Sequence, residues 1–418
     1  MTVFRKFINF DFVFAAIMAL FIPAMAVVAC VRDGRDLRVG LFGVEQVLQK
    51  KSPYENPEDP PRAVFRYAPA ITILEYPFLL KSKMVAPYKF ENITPSILAW
   101  YFTEILALIF SALILLKLTP SLPRGMNWRN LKIGILMSLP LIGYELSNCQ
   151  NKLIALFFVL LAILLFKKKR MLLSAISLAI ALTIYIPLVF FGLYFLIKSR
   201  GRFIFSFITG VLIVFIIVPS LVWGFQFNYF LLKDWYIRAL KPFIFTDSYA
   251  SYVDLRASNQ ALPGAIGRMF VSRHSSGALT YSLPPELVHV IIKIFSSGII
   301  FLSCLAVWKR AKPASAEGLG LAIFLILALI IPLYCIYYTW AWLFVIYFMV
   351  LNYVTSQETR KIEKKFLLIL TSVMFLSTVL IGVAILKQGS FIFWATFLLW
   401  VGIVTVLLKG PKCSDPGF

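Results

Sequence analysis

Residues 10–31 read FDFVFAAIMALFIPAMAVVACV, and the polar stretch DGRDLRVGLFGVEQVLQKKSPYENPEDPPRAVFRYAPAITILEYP follows at 33–77. The first run is long enough to cross a bilayer as a helix, which takes about 20 apolar residues. It lacks a small-residue cleavage site, so we interpret it as an uncleaved first span. Similar runs recur through a chain that is 60% hydrophobic and only 14% charged. These features exclude an ordinary soluble domain and predict an all-α polytopic membrane protein.

Further apolar runs predict the other membrane spans. One of them, 171–197, is interrupted at Ile186-Pro187 and lies between the basic runs KKKR (167–170) and KSRGR (198–202). If both basic runs lie on the same side of the membrane, the segment 171–197 must enter the bilayer and return, with roughly 13 residues in each direction. A helix of that length spans about 20 Å, which is short of a ~30 Å hydrocarbon core. We therefore expect a broken re-entrant pair or two short helices there. The remaining predicted spans are 96–117, 131–146, 151–166, 203–225, 286–307, 318–335, 336–355, 366–386 and 391–408.

The basic residues predict the orientation. The chain carries a net charge of +22, with Lys and Arg concentrated in short runs between apolar segments. Such runs favour the cytoplasmic side of a membrane and contacts with lipid phosphates, and they give no reason to expect nucleic acid. We predict about twelve crossings, both termini cytoplasmic, and an opening loop (32–95) and a second loop (226–285) on the outer side. Residues 1–418 then form a single integral membrane domain.

Asp36 is the first candidate catalytic residue. It lies a few residues after the first span and begins an amphipathic stretch, Leu37 to Leu48, in a protein with only 19 acidic residues. A carboxylate at a membrane boundary is a candidate for proton transfer. The alternative is that it caps the following helix. Asp33, three residues earlier, is its nearest rival.

The second loop is unexpectedly basic for an outer loop. Its cationic residues are interleaved with Trp and Tyr, a combination suited to a phosphate or pyrophosphate at headgroup level. The alternative is an interfacial belt in which the same side chains touch lipid phosphates. The residues concerned are Lys233, Arg238, Lys241, Arg256, Arg268, Arg273 and His274.

Glu145 is a carboxylate in an apolar context, just before the polar corner LSNCQNK. Acids at such positions are functional candidates, but a hydrogen-bonded residue at a helix end is an equal alternative. The two histidines, His274 and His289, lack metal-binding spacing, and no phosphate-cradling glycine loop is present, so the sequence predicts neither a metal site nor a cofactor.

Four stretches, taken in order, resemble glycosyltransferase family 87. The opening DLRVGLFGVEQVLQKKSPYENP with FRYAP and EYP is similar to the first outer loop of that family. The other three are SNCQNKLIALFFVLLAILL, the broken IYIPLVFFGLYFLIKSRGR, and SNQALPGAIGRMF. The chain departs from the family pattern at Cys149 (usually Gly) and Ala261 (usually Ser), and a Lys usual before Pro187 and a His usual after Trp340 are absent.

The resemblance implies a GT-C architecture with its active site at the outer face. It implies inverting transfer of a hexose, with mannose as the family's sugar, from a polyprenyl-phosphate donor to a lipid-linked or membrane-bound glycan. Asp36 would be the general base, and Arg268, with Lys233 or Arg256, would stabilise the departing phosphate. The other implied substrate-binding residues are Tyr54, Tyr67, Glu145, Gln150, Asn151, Asn259 and Gln260.

Two other functional classes remain open from the sequence. A lipid or sugar transporter, or flippase, usually contains two similar halves with paired broken helices, and here one broken stretch and no evident repeat are found. A non-catalytic subunit of a glycan-assembly complex is also compatible with the altered motif residues. The lack of long insertions or retention signals favours a bacterial inner membrane.

Overall fold

The computed structural model describes residues 2–55, 65–80, 82–119, 123–199, 201–241, 255–271, 283–308, 314–356, 359–380 and 389–409. In this part of the chain the regular structure is helical, as predicted, apart from one hairpin. Its strands, β1 (Lys83–Ala86) and β2 (Lys89–Glu91), pair antiparallel within the opening loop. The all-α prediction is therefore confirmed, with this small sheet as its one exception in the described residues.

In the described residues, seven α-helices precede the break at Ile186-Pro187, and two of them lie within the opening loop. The amphipathic stretch predicted at 37–48 is a helix with Leu37, Leu41 and Val44 buried on one face, the spacing expected for helix packing. The helices are α1 (Thr2–Val31), α2 (Arg35–Leu48), α3 (Ile71–Glu75) with a 3-10 turn (Tyr76–Phe78), α4 (Thr94–Leu118), α5 (Arg124–Ser147), α6 (Lys152–Lys167) and α7 (Met171–Ile184).

A 3-10 turn (Ile186–Val189) separates α7 from the next helix, which confirms the break predicted at Ile186-Pro187. The helices that follow are α8 (Phe190–Ser199), α9 (Phe203–Val211), α10 (Val218–Trp223), α11 (Phe225–Trp235), α12 (Leu262–Phe270), α13 (Pro285–Trp308), α14 (Ala314–Ile330), α15 (Leu343–Thr355), α16 (Lys361–Val379) and α17 (Phe391–Lys409). A π-helical turn (Leu212–Ile217) joins α9 to α10, another (Tyr236–Leu240) follows α11, and a 3-10 turn (Thr339–Trp342) precedes α15.

The count of about twelve crossings is not confirmed. In the described ranges five helices are long and apolar enough to cross a membrane, Phe10–Val31, Thr94–Leu118, Phe203–Trp223, Pro285–Trp308 and Phe391–Lys409. The pair α5 and α6 bends by 118° and raises the number to six if it is one span. The apolar runs at 171–197 and 318–355 are divided into shorter helices by the breaks after Ile184 and Ile330, and the described part of the run at 366–386 belongs to α16.

The core lies around α14 and α15, whose side chains are buried along nearly their whole described length. In contrast, α1, α9, α10 and α13 expose large apolar side chains outward, among them Leu20, Phe205, Leu221 and Phe301. Apolar side chains exposed in this number would be costly in water and are favourable against lipid tails. The bundle therefore presents an apolar outer surface.

The two ends of the bundle differ in chemistry. At one end Lys167 Nζ donates to the Leu118 carbonyl (3.3 Å) and pairs with Glu317 (3.0 Å). We name this the Lys167 end. At the opposite ends of α4 and α6, Trp100 Nε1 donates to the Gln150 carbonyl (3.0 Å), beside Asp36. We name this the Asp36 end.

Candidate active site

The corner between α5 and α6 positions the central polar residues of the Asp36 end. Cys149 adopts φ 50°, in the left-handed region that favours glycine, which explains physically why the related motif has Gly at this position. Two buried indoles hold the corner, because Trp342 Nε1 donates to the Lys152 carbonyl (2.8 Å) in the same way as Trp100 does to Gln150. The side chains of Gln150, Asn151 and Lys152 are all buried here.

Glu145 caps the N-terminus of α6 from the preceding helix. Its Oε1 accepts from the backbone N–H of Lys152 (2.7 Å) and of Leu153 (3.2 Å), donors that the first turn of a helix leaves unsatisfied. Its Oε2 has no hydrogen-bond partner in the described structure. The reading of Glu145 as a hydrogen-bonded helix-end residue is therefore confirmed, and its role as a substrate ligand stays a prediction.

Asp36 faces this corner and does not cap its own helix. The residue at the N-cap of α2 is Gly34 (φ 53°), with no side-chain cap, so the capping alternative is wrong. Instead, the carboxylate of Asp36 accepts a hydrogen bond from Gln150 Nε2, and its backbone N–H donates to the Asn148 carbonyl (3.2 Å). Burial raises the pKa of Asp36, although the Gln150 bond and the charges of Arg35 and Lys152 oppose the rise. A raised pKa makes this carboxylate a better proton acceptor.

Lys152 supplies a buried cation close to Asp36. Its Nζ donates to Asn151 Oδ1 (3.0 Å) and, weakly, to the Ile184 carbonyl (3.4 Å). The ammonium also lies 5.0 Å from the Tyr67 ring centroid and 5.1 Å from that of Tyr185. In the part of the chain that the structure describes, no carboxylate forms an ion pair with it. The charges of Glu145, Asp36 and Glu75 act on the ammonium from a longer distance, so an anionic ligand could become its direct partner.

Tyr67 and Tyr54 support the cation from the opening loop. The Asn151 side chain lies close enough to the Tyr67 hydroxyl to act on it, and the Lys152 ammonium lies near the Tyr67 ring. Tyr54 in turn contacts Tyr67, because its hydroxyl donates to the Tyr67 carbonyl (2.8 Å). The structure thus brings together Asp36, Tyr67, Glu145, Gln150 and Asn151, with Tyr54 behind them.

A second polar group forms where residues 256–270 meet residues 333–337. Asn259 Oδ1 accepts from the Cys335 N–H (3.0 Å), and the Gln260 N–H donates to the Cys335 carbonyl (2.9 Å). Arg268 is buried and donates to the carbonyls of Arg256 (2.8 Å) and Asn259 (2.7 Å) and to the Ser390 hydroxyl. These contacts hold the loop in shape, and a phosphate-binding role for Arg268 stays a prediction.

The second group adjoins the first through aromatic rings. The ring of Tyr144, on α5, lies 6.4 Å from those of Tyr337 and Tyr338, and the charge of Lys152 is close enough to interact with Cys335. Arg256 is exposed beside the Tyr334 ring (6.0 Å). Lys233 is exposed on α11 and belongs to neither polar group. Arg273 and His274, in the basic part of the second loop, lie outside the described residues.

Residue-level reading of the sequence missed Lys152 and Glu75. Both are buried, at 5% and 2% exposure, although each is a residue type that is rarely buried without a partner. The available signal for Lys152 was its position directly before the apolar run LIALFFVLL. Glu75 carried a similar signal in the apolar context ITILEYP.

An apolar groove of about 310 Å³ adjoins the cluster between α4 and α6. Asn151 and Thr103 are its polar lining residues, and Asn151 lies at the Asp36 end. Leu106 and Phe110 line it and are about half exposed, so the groove lies on the outer surface of the bundle. The groove runs along α4 from Trp100 to Phe110, and these ten residues of helix have a length of roughly 15 Å. A hydrocarbon chain fits such a surface.

Comparison with known families gives one match. The sequence profile of glycosyltransferase family 87 covers residues 65–332, which is more than half of the chain. The match includes Tyr67, the corner at 148–151 and Arg268, whereas Asp36 and Tyr54 precede it. No curated protein matches the chain. The predicted resemblance is thereby confirmed: the chain belongs to glycosyltransferase family 87 and is a membrane glycosyltransferase.

Proposed function

We propose that this chain transfers a hexose, with mannose as the first candidate, from a polyprenyl-phosphate donor to a lipid-linked or membrane-bound glycan. The observation that carries the proposal is the juxtaposition of Asp36, the buried Lys152 ammonium and the apolar groove that meets them at Asn151. A lipid-linked sugar phosphate needs these three features: a base for the acceptor, a cation for the phosphate and an apolar surface for the tail. Residues 1–418 act in this proposal as one integral membrane domain.

The proposed reaction is a single displacement. Asp36 accepts the proton of an acceptor hydroxyl while that oxygen attacks the anomeric carbon of the donor sugar. The bond between the anomeric carbon and the phosphate oxygen breaks, its electrons leave on polyprenyl phosphate, and the configuration inverts. Because the leaving phosphate is anionic, it requires electrostatic stabilisation more than a strong acid. Lys152 supplies this stabilisation.

The donor class is tested with the purified full chain in lipid vesicles. We expect radiolabelled sugar to pass from polyprenyl-phosphate mannose, or from polyprenyl-phosphate glucose, to a glycolipid acceptor extracted from bacterial membranes. Transfer from a nucleotide sugar alone would overturn the proposal. Movement of the intact lipid-linked sugar across the vesicle bilayer, without transfer, would indicate the flippase alternative. A complete lack of both would favour the non-catalytic subunit.

The groove predicts a chain-length effect. Thr103→Trp places an indole in the groove, and we expect it to raise the KM for a long polyprenyl donor about four- to fifteenfold, corresponding to one or two displaced methylenes at ~0.8 kcal/mol each. A short-chain donor such as a citronellyl-phosphate sugar should be affected less. Ile109→Trp is the matched control, because Ile109 is exposed on the same helix and does not line the groove. Equal effects of the two variants on the long-chain donor would place the tail elsewhere.

We further propose that the Asp36 end faces the periplasm of a bacterial inner membrane and that both termini are cytoplasmic. The basic residues of the Lys167 end support this orientation. In a chain with its native cysteines replaced, a cysteine at position 89, on the exposed part of β2, should react with an impermeant maleimide in intact cells. A cysteine at position 168, at the other end, should react only after lysis. The reverse labelling pattern would show that the chain has the opposite orientation in the membrane.

A further inference from the structure

Glu75 is a buried carboxyl that the proposed reaction has not used. It ends α3 with 2% exposure, and its Oε2 has no hydrogen-bond partner in the described structure. The carboxyl packs against Gly40, one turn after Asp36 on α2, so closely that a Cβ at Gly40 would lie 2.6 Å from Oε2. The fold therefore leaves room for this acid by keeping a glycine opposite it.

The surroundings of Glu75 are those of a ligand site. The Asn151 side chain lies close enough to its carboxyl to act on it, and so does the charge of Lys152. Ile71 and Leu74, earlier on the same short helix, line the apolar groove. Glu75 and Lys152 do not line the groove themselves, but both are neighbours of Asn151, which does. Glu75 is therefore close to the expected position of a phosphate whose tail occupies the groove.

The protonation state of Glu75 follows from its burial. Burial raises its pKa to about 8, against the smaller opposing effects of Lys152 and Asn151. Among the other titratable groups of the packed elements, Tyr67 in the loop interacts with Glu75, and exposed Tyr76 follows α3. The helix α2 carries Arg35, Asp36, Arg38 and Glu45, and α7 contributes none. At neutral pH the carboxyl is therefore mostly neutral and carries an O–H that can donate a hydrogen bond.

We propose that protonated Glu75 donates a hydrogen bond to the phosphate of the lipid donor and, with Asn151 and Lys152, forms its binding seat. This inference rests on the proposed function for the donor class. A neutral acid suits this position, because an ionised carboxylate would repel the phosphate while an O–H stabilises it. The seat should therefore weaken when Glu75 loses its proton, that is, as the pH rises through about 8.

The test is binding of farnesyl phosphate to the purified full chain in detergent, measured by calorimetry between pH 7 and pH 9. The affinity of the natural chain should fall at least about tenfold over this range, because the protonated fraction of a group that titrates near its midpoint falls by this factor, and any loss of charge from Lys152 acts in the same direction. Glu75→Gln keeps a neutral hydrogen-bond donor of similar size, so it should bind at pH 7 and show an alkaline fall about tenfold smaller than that of the natural chain. Farnesol and inorganic phosphate, tested alone, separate the contributions of the tail and the phosphate.

Glu104→Gln is the matched control, since Glu104 is also a buried acid whose carboxyl oxygens have no hydrogen-bond partner among the described residues, but its charge acts on Glu145 and Asp36. It should keep the alkaline fall. If Glu75→Gln kept the full fall, or if folded Glu75→Gln failed to bind at pH 7, the proposal would be overturned. If this variant does not fold, the natural chain provides a second measurement: the infrared carbonyl band of a protonated carboxyl should shift when farnesyl phosphate binds at pH 7, and an unchanged band would reject the contact.

The binding assay requires no sugar transfer, so the two proposals can fail separately. Binding with the expected pH dependence but no transfer from any polyprenyl-phosphate sugar would reject the proposed function and keep the seat. Transfer combined with pH-independent binding of farnesyl phosphate would keep the function and reject the role of Glu75.

Discussion

Asp36→Asn is expected to lower the rate of sugar transfer by about 10²–10⁴-fold, the usual contribution of a general base. The amide oxygen of Asn can still accept the hydrogen bond from Gln150, but it cannot take a proton from the acceptor hydroxyl. The loss should therefore appear in kcat, with the thermal unfolding midpoint nearly unchanged. In the unmodified chain, activity should fall as the pH decreases through the raised pKa of Asp36, because only the carboxylate is a base.

The matched control for this prediction is Asp33→Asn. Asp33 lies three residues earlier, is about half exposed and pairs with Arg38, so its carboxylate is directed to a surface ion pair. Such pairs contribute roughly 0–1 kcal/mol to stability, and the variant should keep at least half of the activity. Parental activity in Asp36→Asn, or a large loss in Asp33→Asn alone, would move the base to Asp33.

Lys152→Met should lower kcat/KM for the lipid donor about 10- to 100-fold. Hydrogen bonds to charged groups contribute roughly 1.5–3 kcal/mol, and Met keeps the length and apolar stem of the side chain without the charge. Because the ammonium is buried without an ion-pair partner in the described structure, its removal should leave the free energy of unfolding unchanged or increase it. Loss of activity without loss of stability is the distinguishing result.

Lys233→Met is the control for Lys152→Met, since it removes one positive charge from the exposed surface of α11. We expect a change in kcat/KM of less than about twofold, reflecting only the small effect of a screened surface charge. If Lys233→Met produced the larger loss, the phosphate would lie at the second loop, as the sequence alone predicts. Steady-state kinetics at two salt concentrations would separate this case from general steering.

The length of the apolar runs in the sequence predicts the long helices well and the short helices poorly. The runs at 203–225 and 286–307 became helices close to the expected bounds, since a long apolar run in a bilayer has few alternatives to a helix. The runs at 318–335 and 336–355 became α14, a non-helical segment, a 3-10 turn and α15. Their backbone is irregular where Cys335 pairs with Asn259 and Gln260, a tertiary contact that no local pattern reveals.

At the site, the sequence predicts Asp36 as the base because few acidic residues lie at a membrane boundary and this one begins an amphipathic stretch just after the first span. It did not identify Lys152, because a lysine at the start of an apolar run is indistinguishable from the basic residues that set topology. Arg268 was expected to contact phosphate, whereas its described contacts include two backbone carbonyls. Which hydrogen-bond donor meets which hydrogen-bond acceptor depends on tertiary packing, and residue types alone do not specify these pairs.

The corner between α5 and α6 also provides an intrinsic optical reporter. The indoles of Trp100 and Trp342 are bonded to the two carbonyls that flank Asn151, so a ligand that displaces this backbone changes their hydrogen bonding. Indole emission is sensitive to such changes. Phenylalanine substitutions at either position, compared with the unmodified chain, would assign the fluorescence response to donor binding without an attached dye.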